Sequence, residues 1–200
     1  MKETKVIEVS ARSGGVGVTT LSSVLALTIS RQGKNVALVD TSEFGECFSV
    51  LAMLMPNSGG YISDNNLTVY YCQSGSNLPT EEELSKYDVV VVDVGFSAGL
   101  GAMFRYETRT VSVVRNAYTS LKAEVRSMVK PDVTFLFKIP TNALNESDCS
   151  SVLGTPLTVV DVTDAMSRTI DAGLLPSRPQ HYEWAEELSE SLLAGCHLSQ

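Results

Sequence analysis

The stretch "VSARSGGVGVTTLSS" (residues 9–23) decides how this chain is read. Gly14, Gly15 and Gly17 stand between a strand-like run and a run with helical periodicity. Glycines let a backbone curl so that successive N–H groups face inward and form a concave anion nest. A helix starting directly after the nest brings its dipole and its free N–H groups to the same point. Gly14, Gly15, Val16, Gly17, Val18, Thr19 and Thr20 are therefore the candidate phosphate-binding residues. Thr19 stands where the hydroxyl of such a loop ligates Mg²⁺. The position before it, where these loops carry a lysine, is Val18.

Outward from the loop, strand and helix patterns alternate. "KVIEVSA" (5–11) reads as a strand and "TTLSSVLALTISRQ" (19–32) as a helix. In that helix Leu21, Val24, Leu25, Thr28 and Ile29 make one buried stripe, and Gly33 stops it. "NVALVD" (35–40), "NLTVYYC" (66–72), "YDVVVVDVG" (87–95), "TRTVSVV" (108–114), "DVTFLFKI" (132–139) and "PLTVVDV" (156–162) read as further strands. The unbroken valines of 89–92 mark a strand covered on both faces of a parallel sheet. Thr80 and Glu83 form a capping box for a helix near 80–87. A later helix sets Leu121, Val125, Met128 and Val129 on one side and ends at Pro131. Two more helices fall near 164–172 and 181–194, and the turn-rich residues 55–66 read as a flexible surface loop.

This alternation predicts one doubly wound α/β domain over residues 1–200, with a mainly parallel sheet and helices on both faces. Ligands of such sheets sit outside the carboxyl ends of the strands. The glycine turn, Asp40 and Asp93 all end strands there, so they converge on one candidate site.

Composition narrows the choice of function. The chain is 44% apolar, yet no run reaches the roughly 18 residues of a membrane span. The N-terminal sequence carries no signal-peptide core, so a cytoplasmic protein is expected. Cys47, Cys72, Cys149 and Cys196 are dispersed, which fits reduced thiols and opposes a structural zinc. The net charge of −8, with 15 Lys and Arg, disfavours DNA as a partner. Arg105, Arg109, Arg115, Lys122 and Arg126 read as a solvated face. Trp184, Leu188 and Leu192 form a stripe on the last helix, which reads as packed on the sheet. Glu183, Glu186, Glu187 and Glu190 share that helix, and they disfavour an anionic membrane. His181 and His197 have no spacing that suggests catalysis or metal binding.

The motifs together resemble the ParA/MinD group of P-loop proteins, whose deviant Walker A loop has the form KGGxGKTT. "SGGVGVTT" (13–20) matches it in every glycine and both threonines. "VALVDTSEFG" (36–45) is similar to the second motif, which makes Asp40 the aspartate near the attacking water. "YDVVVVDVG" is similar to the Walker B strand, which makes Asp93 a support for the Mg²⁺ shell, through water. "VVRNAYTSLKAEVR" (113–126) and residues 153–175 resemble later family segments less specifically. The resemblance implies a P-loop NTPase-like fold and ATP or ADP with Mg²⁺ as cofactor.

Three departures bear on activity. Ser13 replaces the signature lysine, which in the family reaches the partner's nucleotide across a sandwich dimer. Val18 replaces the lysine that contacts the β- and γ-phosphates, and Ser42 stands where many relatives keep a second aspartate. "FKIPTN" (137–142) also lacks the asparagine–arginine pair that relatives often carry. Losing one charge-assisted hydrogen bond removes roughly 1.5–3 kcal/mol, or about 10- to 150-fold in binding. Hydrolysis suffers more, because one donor aimed at the transition state is worth about 10²- to 10³-fold.

The leading expectation is a ParA/MinD-like regulatory or positioning protein with a degenerate nucleotide site. It would act through a protein partner, with weak or no ATP hydrolysis. The alternative is an active Mg·ATP-dependent dimerisation switch of the partition or pilus-localisation type. Such a homodimer would need Arg12, or a residue from elsewhere, to replace the lost charge. A synthetase of the amidoligase kind would need a second pocket with its own lysines, and no cluster suggests one.

Overall fold

The computed structural model of the chain describes residues 4–52, 57–58, 61–64, 66–72, 78–95, 106–127, 130–142, 144–171 and 183–194. In chain order the elements are β1 (Lys5–Ser10), α1 (Val18–Arg31), β2 (Val36–Asp40), α2 (Glu46–Ala52), β3 (Asn57–Ser58) and β4 (Tyr61–Asp64). β5 (Leu67–Tyr71), α3 (Glu81–Leu84), β6 (Val89–Gly95), β7 (Glu107–Arg115) and α4 (Tyr118–Val125) follow. The chain continues through β8 (Val133–Lys138), α5 (Glu146–Leu153), β9 (Leu157–Asp161), α6 (Asp164–Asp171) and α7 (Glu183–Ala194).

The strands form one sheet in the order β3-β4-β5-β2-β6-β1-β7-β8-β9. From β5 to β9 every neighbouring pair is parallel, and β3 and β4 extend the β5 edge antiparallel. β1 lies near the middle, which sets the loop it feeds into the centre of the carboxyl edge. Side-chain alternation sorts the core into two layers. Val89 and Val91 of β6 join the cluster with α1 and α7, whereas Val90, Val92 and Val94 face the other layer.

Leu21, Val24, Leu25 and Ile29 of α1 are all fully buried, as their spacing requires. α7 covers the same face. Trp184 sits with its ring centroid 5.2 Å from Phe135 and 6.3 Å from Phe137, and its four glutamates point to solvent. The capping box of α3 forms as read, with Thr80 and Glu83 bonded reciprocally.

Three expectations change. Within residues 55–66, β3 and β4 make a short antiparallel hairpin, with Ser58 opposite Tyr61. Two glycines between β-forming residues are a hairpin signal, which the count of turn formers obscured. α4 buries Leu121 of the apolar stripe read from the sequence but not Val125. Val125 is exposed, and the buried residues are Ser120, Leu121 and Glu124. Polar partners on β7 explain this, since Ser112 Oγ donates to Glu124 Oε2 at 2.7 Å. Met128 and Val129, like Arg105, His181, Cys196 and His197, lie outside the described residues. Finally, α2 and α5 were not anticipated. α5 has a capping box built from Asn145 and Asp148, whereas α2 is only seven residues long and buries Cys47 and Leu51, four residues apart.

Candidate functional site

The loop from residue 11 to residue 17 leaves β1 at the carboxyl edge and enters α1. Gly17 is the residue before the helix and adopts φ 109° and ψ 24°; Gly15 has φ 67°. A Cβ on Gly17 would meet the Phe137 ring at 2.8 Å, so the aromatic floor from β8 admits no side chain there. Gly15 faces open space and is required only by its backbone angle. The first turn of α1 has neither a side-chain cap nor an acidic residue, which leaves its N–H groups directed at the nest.

Val18 and Ser13, where the resemblance led to an expectation of lysines, make other contacts. Val18 is only 9% exposed and belongs with Val16 to the core cluster on the α1 face. It fills apolar volume in that cluster. Ser13 Oγ lies 3.3 Å from Ser120 Oγ and ties the loop to α4. Cations are nevertheless near. Arg12 is half-buried in the loop itself. Val111 and Val113 of β7 face α1, so alternation sets the half-buried Arg115 on that face beside its register partner Phe137. Its Nε is buried with no hydrogen-bond partner.

The acidic half of the site is built on β2 and β6, where Asp40 and Asp93 are register partners and both fully buried. Asp40 Oδ1 accepts from the N–H of Ser42 at 3.0 Å and from its hydroxyl at 2.6 Å. Its Oδ2 accepts from the N–H of Phe48 at 3.0 Å. Asp40 thereby holds the start of α2. The Cys47 thiol donates to Asp93 Oδ2 at 2.9 Å, and Ser23 Oγ lies 3.4 Å from the same sulfur. Burial, and then the charges of Asp93 and Asp40, push the Cys47 thiol far up from its ordinary range. Such a thiol is a neutral hydrogen-bond donor and a poor nucleophile.

Thr19, Asp40 and Asp93 thus meet at one edge, as the sequence suggested, with Thr20 half-buried one residue further along α1. Their polar atoms have partners within the chain. Thr19 Oγ1 donates to Glu46 Oε2 at 3.2 Å, and Asp93 is held by Cys47. Donating its hydrogen leaves the lone pairs of Thr19 open to a cation, whereas Oδ2 of Asp93 is already engaged by Cys47. Among the described residues no group of three or more His, Cys, Asp or Glu surrounds a common metal position.

Sequence reasoning missed Glu46, Cys47 and Asn116. Asn116 is 2% exposed and organises the far side of the edge. Its Nδ2 donates to the carbonyls of Ile139 and Leu144 at 3.0 Å each, and its Oδ1 accepts from Ile139 N and Asn142 Nδ2. An asparagine directly after a strand was the one available signal.

A seven-stranded parallel sheet with helices on both faces and a glycine loop feeding its central helix is the P-loop NTPase fold of the MinD/ParA type. Solved structures of that kind superpose on nearly the whole chain. The septum site-determining protein MinD of Pyrococcus horikoshii, complexed with Mg-ADP, has a TM-score of 0.65 at 16% identity, covering 96% of this chain and 98% of that one. An McdA–ATP complex from Cyanothece has a TM-score of 0.67 at 11% identity, with both chains covered completely. A chain of the MinC:MinD cell division protein complex of Aquifex aeolicus reaches 0.66 at 14% identity, over 98% of each chain. No protein-family model matches the chain, and no curated protein sequence matches it either. None of the helices among the described residues is long and apolar enough to cross a membrane.

Proposed function

We propose that this protein is a positioning or regulatory protein of the ParA/MinD type whose nucleotide site is degenerate and which acts through a protein partner. One observation carries the reading. Val18, at the position of the phosphate-contacting lysine, lies in the hydrophobic core and supplies no charge to the nest. Ser13 is bonded to α4 in place of the second lysine. The nest itself keeps its glycine geometry, so weak binding of ATP or ADP is retained while hydrolysis is slow or absent. Fold similarity to MinD and McdA supports the positioning role by analogy.

The rim of the site supports a protein partner. Phe44, after β2, is 74% exposed, and Tyr118, at the start of α4, is 65% exposed. Both follow strands that end at the carboxyl edge. Aromatic residues left in water beside a functional edge suit a protein contact. The carboxylates of α7 favour such a partner over an anionic lipid surface.

An active Mg·ATP-dependent dimerisation switch is favoured by one observation, the buried and unpartnered Nε of Arg115. In that reading Arg115 or Arg12 supplies the missing charge. Calorimetry with Mg·ATP and a phosphate-release assay separate the two. The proposal expects weak binding and negligible turnover, and tight binding with brisk turnover would overturn it.

A further inference from the structure

Glu46 opens α2, and its carboxylate oxygen lies 3.2 Å from Thr19 Oγ1, at the mouth of the nest. The chain around it is fixed. The N–H of Glu46 donates to Ser42 Oγ at 3.2 Å, and Ser42 is itself bonded to Asp40. On the other side Cys47 is anchored to Asp93 and, at 3.6 Å, to the carbonyl of Thr19, while Phe48 N is bonded to Asp40. The backbone on both sides of Glu46 is therefore tied to the site's own aspartates. The first turn of α1 contains no acid and no side-chain cap of its own. Glu46 brings an anion to that turn from a different helix.

Resting on the reading that the nest is the ligand site, we infer that Glu46 is an intramolecular occupant that competes with a phosphate group for it. A phosphate approaching Thr19 meets a carboxylate already accepting the Thr19 hydrogen. The like charges repel, and the Thr19 hydrogen, already given to Glu46, is not free to donate to a phosphate oxygen. Glu46 thus sets the affinity of the nest for anions, in addition to the loss of the two lysines.

The test uses the full chain and titrates ADP, with and without Mg²⁺, into wild type, Glu46→Gln and Glu46→Ala. Glu46 is exposed, so both variants fold. Glu46→Gln keeps the size and removes the charge, so ADP binds about five- to tenfold tighter at low salt, and the gain shrinks as salt is added. Glu46→Ala gives at least the same gain. Glu43→Gln, an exposed acid on the same loop, leaves affinity within about twofold. Affinities of both Glu46 variants within about twofold of wild type, or binding undetectable in all three, would overturn the inference. The ratio between variants tests this inference, whereas turnover by the wild type tests the proposed function.

Discussion

The Cys47 thiol donates to Asp93 Oδ2 at 2.9 Å, and neither side chain has any exposed surface. A hydrogen bond to a buried charge contributes about 1.5–3 kcal/mol, and Cys47→Ala should lower unfolding free energy by that amount. pH gives a second readout. A thiol that ionises higher in the folded chain than its ordinary 9.0 favours folding below that value, and loses the contribution as pH rises through the folded value. Cys72, pushed up to about 11 by burial and by Asp40, acts in the same direction. Stability should therefore decline above the ordinary thiol range, and Cys47→Ala should flatten the decline in alkaline denaturant melts. Native Cys47 should also resist alkylation until the chain unfolds.

Val18→Lys tests the proposal that the nest lacks a charge at this position. If the nest retains its geometry, the new ammonium strengthens Mg·ATP binding by about tenfold or more, read by calorimetry. Val18→Ala separates packing from charge. It should cost about 1–2 kcal/mol of stability and leave nucleotide affinity unchanged.

Gly17 and Gly15 differ in what a methyl group would meet. Gly15→Ala pays only for its left-handed backbone, about 1–2 kcal/mol. Gly17→Ala pays a comparable strain and also collides with Phe137, so its melting temperature should fall well below that of Gly15→Ala. Combining Gly17→Ala with Phe137→Leu should recover part of the loss. A strictly additive double mutant would show that the ring is not the obstacle.

Glu8 lies in the central strand at 6% exposure, with Oε1 unpaired. Burial raises its carboxyl above the ordinary 4.5. A raised carboxyl favours folding below its unfolded value, and that contribution is lost as pH rises through the folded value. Glu8→Gln should therefore stabilise the protein near neutral pH, because the amide keeps the size of the side chain and removes a buried charge. The advantage should vanish in acid, where the wild-type carboxyl is protonated. Denaturant melts across this range check both points.

What the sequence disclosed was local. The glycine loop, the four valines of β6 and the stripe of α1 each announce their structure within a few neighbours. The contacts that fill the site were not legible, because they join distant segments. Cys47 meets Asp93 across 46 residues, and Glu46 meets Thr19 across 27. α2 is short, and its buried pair Cys47 and Leu51 marks a core face without naming what either contact meets. The inner face of α4 misled for a related reason. Glu124 is buried because Ser112, on another element, receives it.

One tie reaches almost from end to end. The ammonium of Lys5 in β1 donates to the carbonyl of Leu193 in α7, 188 residues away. Both sheet neighbours of β1, β6 and β7, also come from much later in the chain. During synthesis the central strand therefore emerges long before anything can pair with it. Phe135 and Phe137 lack their contact with Trp184 until α7 leaves the ribosome. Such distant pairing slows folding and lengthens the exposure of apolar surface. A nascent chain stalled before Glu183 would expose that aromatic face and become a chaperone client.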